Sequence, residues 1–419
     1  MTAIANRLLP VQGAKAPGGS AKAAIPRYRA TRAPALLSAG FRPFFLLSAV
    51  WACIGIPLWL ALYGGTVTLP TALPPADWHA HEMIFGFAAA TVAGFLLTAI
   101  PNWTGRMPLQ GWPLATLVLL WAAGRIGVLF SAVLGPAAAA VLDLLFPAAF
   151  LAVVTREILT GRNWRNLPMV GALTGLLLAN ALVHAAALGL ADTAEFGNRF
   201  AIAILLLLIS LVGGRIIPSF TRNWLVKQRP TVPAPVPANR FDTVVLSVTA
   251  VALAAWLLAP GTLETALIGL AAGLAHALRL SRWRGLATLR EPLLWVLHLG
   301  YAWLAAGFCL LGLQIVVPWL PPFTALHALT VGAIGTMTLA VMTRATLGHT
   351  GRPLQASTGT TAIYLLVTVA ALLRLLAPFA PAHALPALWL AGLAWSAAFG
   401  LFVLLYLPLL AQPRQTGKA

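Results

Sequence analysis

Charged side chains are scarce in this chain of 419 residues. Asp, Glu, Lys and Arg together make up 9% of it, whereas a soluble domain carries about a quarter. Hydrophobic residues make up 60%, enough for about a dozen membrane-spanning helices of about 20 residues each. This composition excludes a soluble enzyme and a disordered chain. The apolar runs are also long and continuous, which excludes a membrane β-barrel, whose strands alternate apolar and polar residues.

Cysteine is almost absent, and so are several motifs of catalysis. The two cysteines, Cys53 and Cys309, lie inside apolar runs, as free buried cysteines commonly do. No Cys-x-x-Cys-His motif is present, which excludes covalent attachment of a c-type haem. The sequence contains no phosphate-binding loop and no dinucleotide-binding fingerprint, and His81-Glu82 is not part of a zinc-protease motif.

The apolar runs predict an all-α polytopic membrane protein with twelve transmembrane helices. These helices form one transmembrane domain over residues 42–411, between a basic, flexible tail of residues 1–41 and a short tail of residues 412–419. The predicted spans are Phe44–Leu62, His81–Ile100, Leu114–Leu134, Ala137–Val154, Met169–Leu190, Phe200–Ile217, Val244–Leu258, Leu263–Leu280, Leu293–Leu313, Leu326–Met342, Ala362–Ala377 and Leu385–Leu410.

Basic residues outnumber acidic ones by 27 to 9, which gives a net charge of +18. All but Arg125, Arg199 and Arg374 lie in the N-terminal tail, at the C-terminus, or in and beside the loops that follow even-numbered spans. Because loops rich in Lys and Arg stay in the cytoplasm, both termini are predicted to be cytoplasmic. The charge therefore indicates a lipid bilayer rather than nucleic acid as the partner, and we expect a multi-pass protein of a bacterial inner membrane.

Similar segments follow spans 2, 6 and 10, which suggests an internal repeat. Aligning the threonines that follow spans 2 and 10 brings His81 onto His327 and Gly86 onto Gly332. Since these spans are four helices apart, we predict three repeats of four helices each. Three arcs of four helices also build the membrane core of the haem–copper oxidases, and this analogy favours haem.

Ionisable residues inside a bilayer are costly and are therefore candidates for function. The predicted topology places most of them in the periplasmic half of the bundle. We expect four of them to converge near the edge of a haem, for proton delivery or for pairing with a propionate, with Arg125 as the first propionate partner. A plain buried ion pair is the alternative. The four residues are Glu82, Arg125, Asp143 and Asn180.

Histidines are the candidate metal ligands. His81 and His327 begin parallel helices at matching depth, as the axial ligands of one b-type haem require. Asp77 shares a helix face with His81 and is expected to hold its second ring nitrogen. The two aligned glycines are expected to leave room for the macrocycle. His79 points to the other side of the helix and is the competing ligand, or a contact for copper or for a propionate.

Four of the five remaining histidines are further candidates. His184 is a candidate metal ligand or a donor between helices. His276 and His298 lie in the cytoplasmic half, where they form a candidate second metal or haem site with His349 as a third ligand. Imidazole suits copper, iron and zinc alike, and simple packing is the alternative for all of them.

The segments around these residues resemble the NnrS family of haem- and copper-containing membrane proteins. The resemblance covers almost the whole chain apart from the N-terminal tail. It implies twelve helices, bound haem, a place for copper, and a role in nitric oxide metabolism, denitrification or resistance to nitrosative stress. The matching segments are Gly40–Phe45, Trp78–Met83, Pro101–Arg106, Arg215–Thr221, His298–Tyr301, His327–Ala333 and Leu347–Arg352.

Two classes of function remain open at this point. In the first, the chain is a haem protein that binds or turns over nitric oxide or a metal–nitrosyl species. In the second, it is a secondary transporter that uses its intramembrane His, Asp, Glu and Arg residues, because twelve spans with internal repeats are also typical of transporters. The sequence identifies no electron donor.

Overall fold

Twelve long apolar helices, α1 to α12, form the protein in this computed structural model, which describes residues 33–321 and 323–415. No strand occurs in these described ranges, so the prediction of an all-α protein with twelve spans is confirmed. The helices are Phe41–Tyr63, Pro75–Thr104, Trp112–Leu129, Pro136–Thr160, Trp164–Ala187, Ala194–Gln228, Arg240–Leu258, Leu263–Ser281, Pro292–Val316, Thr324–His349, Thr358–Phe379 and Pro381–Ala411.

Local sequence signals explain where many of the helices begin. Pro75, Pro136 and Pro292 occupy the first turns of α2, α4 and α9, where proline's missing N–H costs nothing. Thr262 and Ser357 cap α8 and α11, each accepting a hydrogen bond from the backbone N–H three residues further on. The proline start places the beginning of α2 earlier than the predicted span, so the histidines of α2 lie inside the helix.

Helices α2, α6 and α10 form the centre of the bundle. In these three, 67%, 50% and 67% of the most apolar stretch is buried, against 33–44% in the other nine helices. They are the same three helices that the sequence alignment matched. Helices α1 and α12 pack against each other, so the first and last spans are neighbours around this centre. The threefold repeat itself and the likeness to an oxidase core stay predictions.

Each of the central helices contains a π-helical segment. The segments are Glu82–Ala88 in α2, Ile209–Gly213 in α6 and Ala328–Gly335 in α10. Those of α2 and α10 begin directly after His81 and His327, whereas that of α6 begins further along its helix. π-Helical turns are rare in proteins overall, and those that occur are often at functional sites. The surroundings of these two histidines are therefore the first candidate for a functional site.

The ends of the chain meet on one side of the bundle. The predicted tail up to residue 32 and the last four residues lie outside the described ranges. A short 3-10 turn, Ala35–Leu37, precedes α1, and the carbonyl of Leu37 accepts a hydrogen bond from the N–H of Gly111 at 2.9 Å. Arg42 donates to the carbonyl of Leu410 at 2.5 Å, which ties the start of α1 to the end of α12.

Candidate functional site

A network of six buried polar side chains lies between α2, α3, α4 and α5. Every member is at most 5% exposed, and the network includes the four residues that the sequence analysis expected to converge. We call it the Asp143 cluster because Asp143 contacts four of the other five members. The members are His81, Glu82, Arg125, Asp143, Asn180 and His184.

Arg125 joins the two carboxylates of the Asp143 cluster. Its Nη1 atom donates to both oxygens of Glu82 at 2.8 Å, and its Nη2 atom donates to Oδ1 of Asp143. Two glycines allow this approach: a Cβ on Gly86 would lie 2.9 Å from Nη1 of Arg125, and one on Gly124 would lie 2.8 Å from Oδ1 of Asp143. Both terminal nitrogens of Arg125 are therefore hydrogen-bonded to carboxylates of this chain. These contacts form a buried ion pair inside the candidate site.

His81 has oxygen partners at both ring nitrogens. Its Nδ1 atom lies 3.0 Å from Oε1 of Glu82, and its Nε2 atom lies 3.1 Å from both Oδ2 of Asp143 and Oδ1 of Asn180. Glu82, and not Asp77 as the helix spacing predicted, therefore holds the second nitrogen of His81. Neither ring nitrogen offers a lone pair to a haem iron while these hydrogen bonds persist.

Asp143 is also the meeting point of two more side chains. Its Oδ2 atom accepts a hydrogen bond from Nδ2 of Asn180 at 2.8 Å and lies 2.9 Å from Nε2 of His184. Donor atoms of His81, Asp143 and His184 all lie within 4.8 Å of one another. These three side chains could hold one metal ion.

His327 lies in a second group, with His79 rather than with His81. Its Nδ1–H donates to the carbonyl of Phe323 at 2.9 Å, which leaves its Nε2 atom with a lone pair. His79 and Arg374 both lie within electrostatic range of His327. The predicted axial partners, His81 and His327, have different hydrogen-bond partners, and His79, the competing ligand, is the histidine of α2 that lies within electrostatic range of His327.

Unpartnered N–H and ring nitrogen atoms occur in and around this second group. The ring of His79 stacks on Trp59 at 4.2 Å between centroids. Nδ1 of His79 and Nε1 of both Trp59 and Trp303 are buried and have no hydrogen-bond partner in the described part of the chain. Because buried polar groups nearly always have a partner, these atoms are available to water or to a polar ligand.

The aligned glycines do not open free space in this structure. A Cβ on Gly86 would lie 2.7 Å from Nε1 of Trp51, and one on Gly332 would lie 2.7 Å from the ring of Trp303. The room that the sequence analysis assigned to a macrocycle is occupied by side chains of this chain. The two glycines therefore permit close packing around the histidines, and seating a macrocycle beside either one requires its tryptophan to move.

A family comparison identifies the chain. The NnrS protein family model matches residues 35–414, which is nearly the whole chain. The chain belongs to the NnrS family. A comparison with curated proteins finds no match.

This NnrS protein has a second buried ion pair, which the sequence analysis missed. Arg279 is 2% exposed, and its Nε atom donates to Oδ1 of Asp242 at 2.8 Å. The charge pattern groups Arg279 with the cytoplasmic loop residues because it lies next to the end of α8. The available signal was that Asp242 starts α7 on the same side of the membrane on which α8 ends.

The hydrogen bonds beside Arg279 have a fixed direction. Thr249 donates its hydroxyl to the carbonyl of Val245 at 2.6 Å, so it accepts from Nε2–H of His276 at 2.9 Å. Nδ1 of His276 then accepts from the hydroxyl of Tyr301 at 2.8 Å, and the Tyr301 oxygen accepts from Nη1 of Arg279 at 2.9 Å. Both nitrogens of His276 are satisfied, as in a packed structural histidine.

The histidines predicted for the cytoplasmic half do not share contacts in the structure. Nε2 of His298 lies 2.9 Å from the hydroxyl of Thr221, whereas His276 bonds to Thr249 and Tyr301. The ring of His349 packs on another aromatic ring, that of Phe41, at 5.5 Å between centroids. Metal binding by His298 and His349 stays a prediction without a convergent geometry.

Proposed function

We propose that this protein is a haem protein of the bacterial inner membrane that acts in nitric oxide metabolism or in resistance to nitrosative stress. The observation that carries the proposal is the His79–His327 group, in which one imidazole has an open Nε2 atom and the other an unpartnered Nδ1 atom. Membership of the NnrS family supports nitric oxide or a metal–nitrosyl species as the ligand.

His79 and His327 are the residues that would hold one b-type haem through their imidazoles. As in the sequence prediction, one ligand comes from α2 and the other from α10, but the ligand from α2 is His79 instead of His81. The Phe323 carbonyl orients His327 through Nδ1, as the outer contact of a ligating imidazole usually does. Bound haem supplies a one-electron redox centre whose potential depends on its axial ligands and its surroundings.

Arg374 is the proposed partner of a haem propionate. Its charge acts on both imidazoles of the group, and a guanidinium suits a carboxylate because it can donate two parallel hydrogen bonds. Arg125, the first candidate from the sequence, already binds Glu82 and Asp143. The unpartnered N–H groups of Trp59 and Trp303 are further donors for the propionates.

Absorption spectra of the purified protein and three variants test this assignment. We expect a Soret band that shifts on reduction in the wild type, and its loss or conversion to a five-coordinate spectrum in His79→Ala and in His327→Ala. His81→Ala is the matched control on the same helix and should keep the spectrum. A requirement for His81 with a dispensable His79 would restore the original pairing, and normal haem in both His79→Ala and His327→Ala would exclude this ligand pair.

Secondary transport is the alternative function. The observation that favours it is the Asp143 cluster, because buried ionisable residues inside a bundle commonly mark ion pathways. A folded but colourless wild-type protein would favour transport over haem chemistry. Proton-coupled uptake by proteoliposomes, lost on Asp143→Asn, would then support it.

A further inference from the structure

We propose that the Asp143 cluster is a non-haem metal site that binds one first-row transition-metal ion through Nε2 of His81, Oδ2 of Asp143 and Nε2 of His184. This site is separate from the His79–His327 group, and its ligands do not depend on the haem assignment.

The spacing of the donor atoms matches a metal coordination shell. Oδ2 of Asp143 lies 3.1 Å from Nε2 of His81 and 2.9 Å from Nε2 of His184. Ligand atoms at about 2.0–2.1 Å from a tetrahedral ion are about 3.3 Å apart, so small shifts suffice to admit the ion. Oδ1 of Asn180, 3.1 Å from Nε2 of His81, lies at the edge of the same space and is either the fourth ligand or the neighbour of an open position.

The surrounding contacts orient two of the three ligands. Glu82 binds Nδ1 of His81 at 3.0 Å, which keeps a proton on Nδ1 and directs Nε2 toward the ion, as outer-shell carboxylates do for ligating histidines. Arg125 occupies Oδ1 of Asp143 and leaves Oδ2 for the metal. When the ion binds, the Nε2 proton of His81 leaves to solvent and the Nε2 proton of His184 moves to its Nδ1 atom, so that both rings are neutral ligands.

The charge of the cluster is compatible with a bound cation. Both ring nitrogens of His81 face carboxylate or amide oxygens, so His81 carries two ring protons, and its charge together with that of Arg125 balances Glu82 and Asp143. A metal ion that replaces the Nε2 proton of His81 takes over this balancing charge, which matters because a buried unpaired charge is costly in a bilayer. Two imidazoles with one carboxylate suit copper, zinc and iron, whereas magnesium and calcium prefer all-oxygen sites.

Other clusters in the described ranges lack these properties. His276 has partners at both nitrogens, and His298 has only a threonine hydroxyl beside its Nε2 atom. Among the described residues, the group of His81, Asp143 and His184 is the one set of three or more His, Cys, Asp and Glu side chains whose donor atoms converge.

Metal analysis of the haem-loaded protein and two variants tests the site. His184→Ala is the informative substitution, because its one hydrogen bond goes to Asp143 and its loss leaves the contacts of Arg125 in place. His383→Ala is the control, since it removes an exposed histidine at the start of α12 that is not a candidate ligand. Each protein is incubated separately with Cu²⁺, Zn²⁺ and Fe²⁺, desalted, and analysed for metal beyond the haem iron.

We expect one of these ions to bind wild type and His383→Ala in equal amount and His184→Ala at least about tenfold more weakly, with an unchanged Soret band in all three. Thermal unfolding verifies that each variant is folded. Equal metal in His184→Ala and wild type, equal loss in both variants, or no retained ion in wild type would overturn the proposal. Loss of the Soret band alone contradicts the haem assignment and leaves this site standing.

Discussion

At the scale of single residues, Arg125 is the side chain on which the Asp143 cluster depends most. It is 4% exposed and contacts both buried carboxylates of the cluster. We predict that Arg125→Ala lowers the free energy of unfolding by about 3–5 kcal/mol, because it leaves Glu82 and Asp143 buried without their counter-charge. Thermal unfolding in detergent measures the effect.

A surface ion pair provides the control for this prediction. Arg156 lies 2.8 Å from Glu157, and 62% of the Arg156 side chain is exposed. Arg156→Ala should cost only about 0–1 kcal/mol, because water screens such pairs. A similar loss of stability in both variants would mean that Arg125 is not held by buried carboxylates.

The residues of the site were visible in the sequence, but their partners were not. Polar residues stand out in apolar spans, so His81, Glu82, Arg125 and Asp143 could be singled out and placed at similar depth. Spacing along one helix also separated His79 from His81. It could not show which of the two faces α10, because that depends on how α2 packs against helices far away in the chain.

At the scale of helices, the π-helical segments could not be predicted from the sequence. A helix without a hydrophobic stripe gives no register that can be read from its sequence, and α10 is of this kind. A wider turn after His81 shifts the direction of the residues that follow it. Gly86, aligned with Gly332 by the repeat, consequently lies against Trp51 and Arg125 rather than beside an open pocket.

Close packing of α3 against α4 leads to a second prediction. A Cβ on Gly124 would lie 2.8 Å from Oδ1 of Asp143 and 3.0 Å from its Cα atom. The Cα atom belongs to the backbone of α4, which cannot move aside as a flexible side chain can. Gly124→Ala should therefore destabilise the fold by about 1–3 kcal/mol. Gly171→Ala in α5 is the control, because no atom lies within 4 Å of its added Cβ, and it should be neutral or stabilise by up to about 1 kcal/mol. Equal unfolding temperatures of the two variants would contradict this packing argument.

At the scale of the whole molecule, composition predicted the fold, because few structures are compatible with so many apolar and so few charged residues. Backbone groups in lipid must be hydrogen-bonded within the chain, so twelve long apolar runs leave only helices. The order of burial, with α2, α6 and α10 at the centre, follows from tertiary packing and was suggested only by the alignment of those spans. A cavity of about 100 Å³ between them, lined by Ala88, Leu208 and Ile334 among others, marks this centre.

The orientation of the bundle in the membrane is the last prediction. Arg222, Lys227 and Arg229 lie at the α6–α7 connection, whereas Asp192 and Glu195 lie at the α5–α6 connection. Because loops rich in Lys and Arg are retained in the cytoplasm, an alkaline phosphatase fusion after Arg229 should be inactive and one after Asp192 active. Green fluorescent protein at the same sites should give the reverse pattern. This orientation puts Asp143, near the start of α4, in the periplasmic half, where a metal ion would enter from outside. Active phosphatase after Arg229 would mean that the bundle has the opposite orientation. A metal ion would then have to reach the Asp143 cluster from the cytoplasm.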